Sequence, residues 1–157
     1  MLGSYLSILQ ESLEKKLDVL GHIEEIGQVQ TEILKKETFD MEAFDRTVDE
    51  KDAFVTELIK LDEGFESLYD RIKEEFARDK SSYAGQIKHL QKLISEITDK
   101  NVSIQAEESR NKAMLENYFA KERQGLGKVR KSSNAAYGYY KNMNGKQTDS
   151  VFLDKKK

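Results

Sequence analysis

Between residues 81 and 131 the side chains that share one helical face recur at steps of four and three. They are Tyr83, Ile87, Leu90, Ile94, Ile97, Asn101, Ile104, Glu108, Asn111, Leu115 and Tyr118. This is the spacing of a helix that lays one seam against partner helices. The seam is apolar at both ends and polar in the middle, at Asn101, Glu108 and Asn111. A helix over the whole stretch would be roughly 75 Å long at about 1.5 Å per residue. Two earlier stripes have the same period. Leu6, Leu9, Leu13, Leu17, Leu20, Ile23 or Ile26, and Ile33 predict a helix over about 4–36. Phe44, Val48, Val55, Leu58, Leu61, Phe65, Leu68, Ile72 and Phe76 predict a second over about 41–78, interrupted once at Lys51 or Asp52. Neither is long enough to cover all of the third, so part of the third seam should remain uncovered.

The punctuation between these stripes is uneven. Ser4 suits the N-cap of the first helix, Thr38 or Asp40 that of the second, and Ser81 or Ser82 that of the third. Gly21 and Gly27 lie inside the first stripe, where each costs about 1 kcal/mol against alanine. Asp79-Lys80-Ser81-Ser82 is the one turn signal between the second and third stripes, and a single helix from Met41 to Lys131 competes with the two-helix reading. Gly125 and Gly127 loosen the end of the third stripe. The organisation expected is a helical domain over 1–133 and a flexible, basic, tyrosine-bearing tail over 134–157, too poor in periodic apolar residues to fold alone.

Composition sharpens this picture. The 157 residues include no proline, cysteine or tryptophan, and 35% are charged. Without proline nothing forces a helix to break, and without cysteine there is no disulfide framework or thiolate chemistry. No stretch approaches the roughly 20 apolar residues of a membrane span, and the first residues lack the pattern of a signal peptide. The default expectation is a cytoplasmic protein. Residues 1–119 hold 16 Lys+Arg against 26 Asp+Glu, and residues 120–157 hold 10 against 3, which together give the net −3. An acidic body thus carries a basic tail. The charged runs Asp49-Glu50-Lys51-Asp52 and Arg71-Ile72-Lys73-Glu74-Glu75 read as solvated helix faces.

Candidate chemistry is sparse. Neither histidine lies in the Glu-x-x-His spacing of di-iron bundles. His22, with Asp18 and Glu25 on its face, reads as a surface ion pair before a metal site, and His89 sits between Lys88 and Leu90. Gly125-x-Gly127 has no strand before it and forms no phosphate loop. Glu24-Glu25 and Glu107-Glu108 are neighbours in sequence and point in different directions on a helix. No enzyme activity, cofactor or metal is expected.

The surface left over is more informative. Leu115, Tyr118, Phe119, Leu126 and Val129 extend an apolar edge beyond the reach of the shorter helices, and Tyr137, Tyr139 and Tyr140 follow. Such aromatic side chains are common at protein interfaces. These eight residues are the expected partner-binding set, suited to an amphipathic helix laid along the seam. The plainer reading of Leu115, Tyr118 and Phe119 is that they close the end of the bundle. Two further readings stay open: nucleic-acid binding through the basic, aromatic tail, and a structural coiled coil that self-associates with Asn101 and Asn111 fixing register.

The layout of two similar helices and a longer third with a basic, tyrosine-bearing end resembles the FlgN family of flagellar export chaperones. The segments that carry the resemblance are Val48-Asp49-Glu50-Lys51-Asp52-Ala53-Phe54 through Leu61-Asp62-Glu63-Gly64-Phe65, then Gln105-Ala106-Glu107-Glu108-Ser109-Arg110-Asn111-Lys112, Tyr118-Phe119-Ala120-Lys121 and Ala136-Tyr137-Gly138-Tyr139-Tyr140-Lys141-Asn142-Met143. The resemblance implies an all-α, elongated antiparallel three-helix bundle without catalysis. It implies partners too: hook-associated proteins, held by their C-terminal helical segment and delivered to the membrane export gate. Apart from the resemblance, a homodimer through the same seam in the absence of cargo stays open. The cargo surface of the family lies on its C-terminal helix, which carries over here to Leu115, Tyr118, Phe119, Leu126 and Val129.

Overall fold

The structure is a computed structural model that describes residues 2–122 and Tyr139. Among these residues there are three long helices and no strand: α1 (Leu2–Lys35), α2 (Met41–Arg78) and α3 (Ala84–Glu122). A short 3₁₀ turn, Lys80–Tyr83, joins α2 to α3. The fold is all-α, as the stripes predict.

Each boundary has a local cause. Asp40, in extended backbone, accepts a hydrogen bond from the Ala43 amide through its carboxylate (3.1 Å) and starts α2. Here the two alternatives in the sequence resolve in favour of Asp40 over Thr38. At the other end Asp79 leaves helical geometry (φ −129, ψ 36), and its amide closes on the Phe76 carbonyl. The Ser82 hydroxyl donates to the Asp79 carboxylate (2.7 Å). This break rules out one continuous helix from Met41 to Lys131. Neither Ser81 nor Ser82 caps α3 in the manner expected, because the 3₁₀ turn intervenes.

α1 packs along both α2 and α3, while the backbones of α2 and α3 come close at fewer places. Cross-helix bonds fix the directions. Lys16 pairs with Asp62 and Gln30 with Thr47, so α1 and α2 are antiparallel. Gln86 donates to the Gly3 carbonyl and Lys100 to Glu24, so α1 and α3 run parallel. The main core holds Leu6, Leu9, Leu20 and Ile23 of α1, Leu58 and Phe76 of α2, and Leu90 and Ile104 of α3, all fully buried. A second cluster closes the far end around Ile33, Phe44, Val48, Leu115 and Phe119.

α3 has 39 residues to the 38 of α2. Up to Glu122 it is the longest of the three, and Leu115 and Phe119 on its seam are buried there; the continuation of the seam expected at Leu126 and Val129 lies outside the described residues. The α1–α2 connection at 36–40 packs on the cluster of Leu115 and Phe119.

Candidate functional site at the α3 end and the buried polar layer

The end where α1 turns into α2 is built from aromatic rings. Phe39 of the connection lies 4.5 Å from Tyr118, 5.8 Å from Phe44 and 6.4 Å from Phe119, centroid to centroid. Tyr118 and Phe119 meet edge to face at 5.3 Å. Offset and T-shaped pairs of this kind add to the apolar burial itself. Leu115 and Phe119 are only 1% and 3% exposed. They are floor, not edge, which corrects the expectation that both lie on an open seam: the plainer reading, that they close the bundle end, holds for these two. Tyr118 is half-exposed and stays on the surface, together with Phe39, Met41 and Leu34, which also pack on this cluster. Phe39 was missed because it lies outside every periodic stripe, and the signal available was its position one residue before the Asp40 cap. Leu126, Val129, Tyr137 and Tyr140 lie outside the described residues.

Tyr139 is described, and it is not free. It is half-buried against the main core. Its hydroxyl donates to Asp62 Oδ2 at 2.7 Å, while Lys16 Nζ holds Asp62 Oδ1 at 2.5 Å. Burial and the bond to Asp62 both push the Tyr139 phenol above its ordinary range. Burial also lowers the Lys16 ammonium, against the opposing attraction of Asp62.

Between the two apolar clusters lies a polar layer. Lys51, expected on a solvated face, is 3% exposed and paired with Glu108 across the α2–α3 gap. Its ammonium also donates to Gln30 Oε1 (2.6 Å), whose amide nitrogen donates to Thr47 Oγ1 (3.1 Å). Sequence reading placed Lys51 as a break in the stripe. The structure instead keeps the stripe going and buries the charge. On the α1–α3 side, the Gly27 carbonyl accepts from both Thr31 (3.0 Å) and Asn111 (3.1 Å), and Thr31 also donates to Asn111 Oδ1 (2.7 Å). Glu107 packs directly on Gly27: a Cβ there would stand 1.9 Å from Glu107 Oε1. That oxygen is buried and has no hydrogen-bond partner among the described residues. Burial drives the Glu107 carboxyl up to about 7. Lys51 opposes the shift, and Glu108 and Glu24 reinforce it. Glu107 and Glu108 do point in different directions, one at α1 and one at α2, as their adjacency requires.

His22 makes long contacts with Asp18 (3.6 Å) and Glu25 (3.8 Å), and its ring stacks on Phe54 at 5.2 Å. Among the described residues no group of three or more His, Cys, Asp or Glu side chains is placed to hold a metal ion. No helix there is long and apolar enough to cross a membrane.

The described residues thus define a class: a helical bundle with a polar middle layer, distinguished by its packing surfaces. Comparison with protein families then identifies it more closely. The chain matches the FlgN protein family over residues 1–145 and belongs to that family, whose members are flagellar export chaperones that bind hook-associated proteins. Comparison with curated proteins and with solved structures finds no match.

Proposed function

We propose that this chain is a cytoplasmic chaperone of flagellar type III export that holds the C-terminal helical segment of a hook-associated protein and delivers it to the membrane export gate. The family match over residues 1–145 is the observation that carries the reading. The aromatic end supports it. Tyr118, with Phe39 beside it, offers a half-exposed ring surface over a floor of Leu115 and Phe119, and an amphipathic helix anchors on such a patch. The chain beyond Glu122, with Leu126, Val129, Tyr137 and Tyr140, extends the same partner surface in this proposal, whereas Tyr139 lies on α2 at Asp62. Without cargo, the surface serves a homodimer.

Copurification from its own host followed by mass spectrometry is the first test. Recovery of hook-associated proteins supports the assignment. Recovery of nucleic acid, or of the chain alone, overturns it. Calorimetric titration with the C-terminal segment of the recovered protein then addresses the site. Tyr118→Ala should weaken binding by more than about 1 kcal/mol if the ring is an anchor. Equal affinity for the variant and the parent chain removes Tyr118 from the interface.

A further inference from the structure

The middle of α2 is the least covered part of the bundle. From residue 52 to residue 68 only Leu58 is buried, whereas Phe54, Val55, Leu61, Phe65 and Leu68 are half-buried and Ile59 is 42% exposed. α1 buries a side chain at nearly every turn of its length. The α2 strip therefore has apolar area that its two neighbouring helices leave partly in water, and burying it would stabilise whatever covers it. A carboxylate, Asp62, sits within this strip. One of its oxygens is taken by Lys16 and the other by the Tyr139 hydroxyl.

We propose that the central strip of α2 is an interaction surface, and that its occupant is the basic, tyrosine-rich segment of the same chain around Tyr139. Three independent observations select this occupant. The Tyr139 side chain is itself on the strip, packed on the main core and bonded to Asp62. The charges are complementary: Met41–Arg78 holds 12 Asp+Glu against 6 Lys+Arg, and residues 123–157 hold 2 against 9. Opposite fields of this kind favour and orient the contact. The chain also reaches. α2 begins beside the end of α3, where Phe39 and Phe44 meet Tyr118 and Phe119. Asp62 is 21 residues along from Met41, about 32 Å of helix. Residues 123–138 bridge Glu122 to Tyr139, a path whose upper limit is about 58 Å when extended. The occupant arrives tethered, so even a weak contact is favoured by a high effective concentration. The inference does not depend on the identity of any cargo.

The chain contains no cysteine, so a single Ile59→Cys variant of the full chain accepts one nitroxide label three residues from Asp62. Backbone amide signals of residues 137–143 should lose most of their intensity beside the oxidised label and recover it on reduction. In the same labelled chain, Tyr139→Ala should restore those signals, with helix content by circular dichroism unchanged. Asp62→Ala is the second disruption, made on the opposite side of the contact. Undiminished tail signals overturn the proposal, and so does broadening that survives both substitutions. A mixture of spin-labelled, isotope-free chain with unlabelled, nitrogen-15 chain separates the sources. Broadening seen there at the same strength means that a second copy covers the strip, and the cis occupant is then rejected.

Discussion

Lys51 shows how much a single residue in this bundle depends on its partner. Its ammonium is buried with Glu108 and Gln30, and a buried charge that loses its partner costs about 3–5 kcal/mol. Lys51→Ala and Glu108→Ala should each destabilise by roughly that much, whereas Lys51→Met with Glu108→Leu should be neutral or stabilising. Urea unfolding of the two single variants and the double variant checks this, and additive losses would show that the pair is not coupled. Glu107 makes a separate prediction about pH. Its folded-state carboxyl lies at about 7, above the ordinary 4.5, so the folded chain binds the proton more tightly than the unfolded chain. The contribution is complete below about pH 4.5 and is lost as pH rises through about 7. Relative to Glu107→Gln, the parent chain should lose on the order of 1–3 kcal/mol across that window. Parallel stability–pH curves for the two proteins would contradict it. Lys51, Glu108, Glu24 and Arg110 face or flank this carboxyl and remain the same in both.

At the scale of the element, the two glycines of α1 separate cleanly. Nothing lies within 4 Å of a Cβ added at Gly21. Gly21→Ala should therefore stabilise α1 by about 0.5–1 kcal/mol through helix propensity alone. At Gly27 the added carbon would displace the Glu107 carboxylate from a tight site beside the Thr31–Asn111 bonds. Gly27→Ala should lose that gain and turn out neutral or destabilising, and Glu107→Ala should restore it. Melting temperatures of the four chains decide. Both glycines stand out in the sequence as costs inside a helix, yet only neighbours on another helix distinguish them. The same holds for the helix ends. Asp40 as a cap was legible because capping is local, and Asp79-Lys80-Ser81-Ser82 was legible as a turn, but not its 3₁₀ form.

For the whole molecule, α3 is the longest helix, and up to Glu122 its end is packed by residues around the α1–α2 connection. The connection at 36–40 lies between the periodic stripes, and it carries Phe39, which packs on the cluster of Leu115 and Phe119. Among the described residues, the exposed edge at this end is Tyr118 and its neighbours. Tyr139, in the segment expected to be a flexible tail, bonds Asp62 in the middle of the bundle. In the proposed function, a partner helix occupies the aromatic end.

Sequence alone determined the type of the elements and the approximate limits of α1 and α2, while the separation of α2 from α3 at 79–83 was decided by the structure. Sequence also placed the polar seam positions Asn101, Glu108 and Asn111, which are all buried. These properties follow from periods of three and four along one chain. Tertiary structure alone decided that Lys51 is buried with Glu108, that Glu107 faces Gly27, that Phe39 roofs the end and that Tyr139 bonds Asp62. Each of these joins residues on different elements, many positions apart in the chain. A side chain's spacing says which face it occupies, but only the packed neighbours decide whether that face meets water, a charge or a ring.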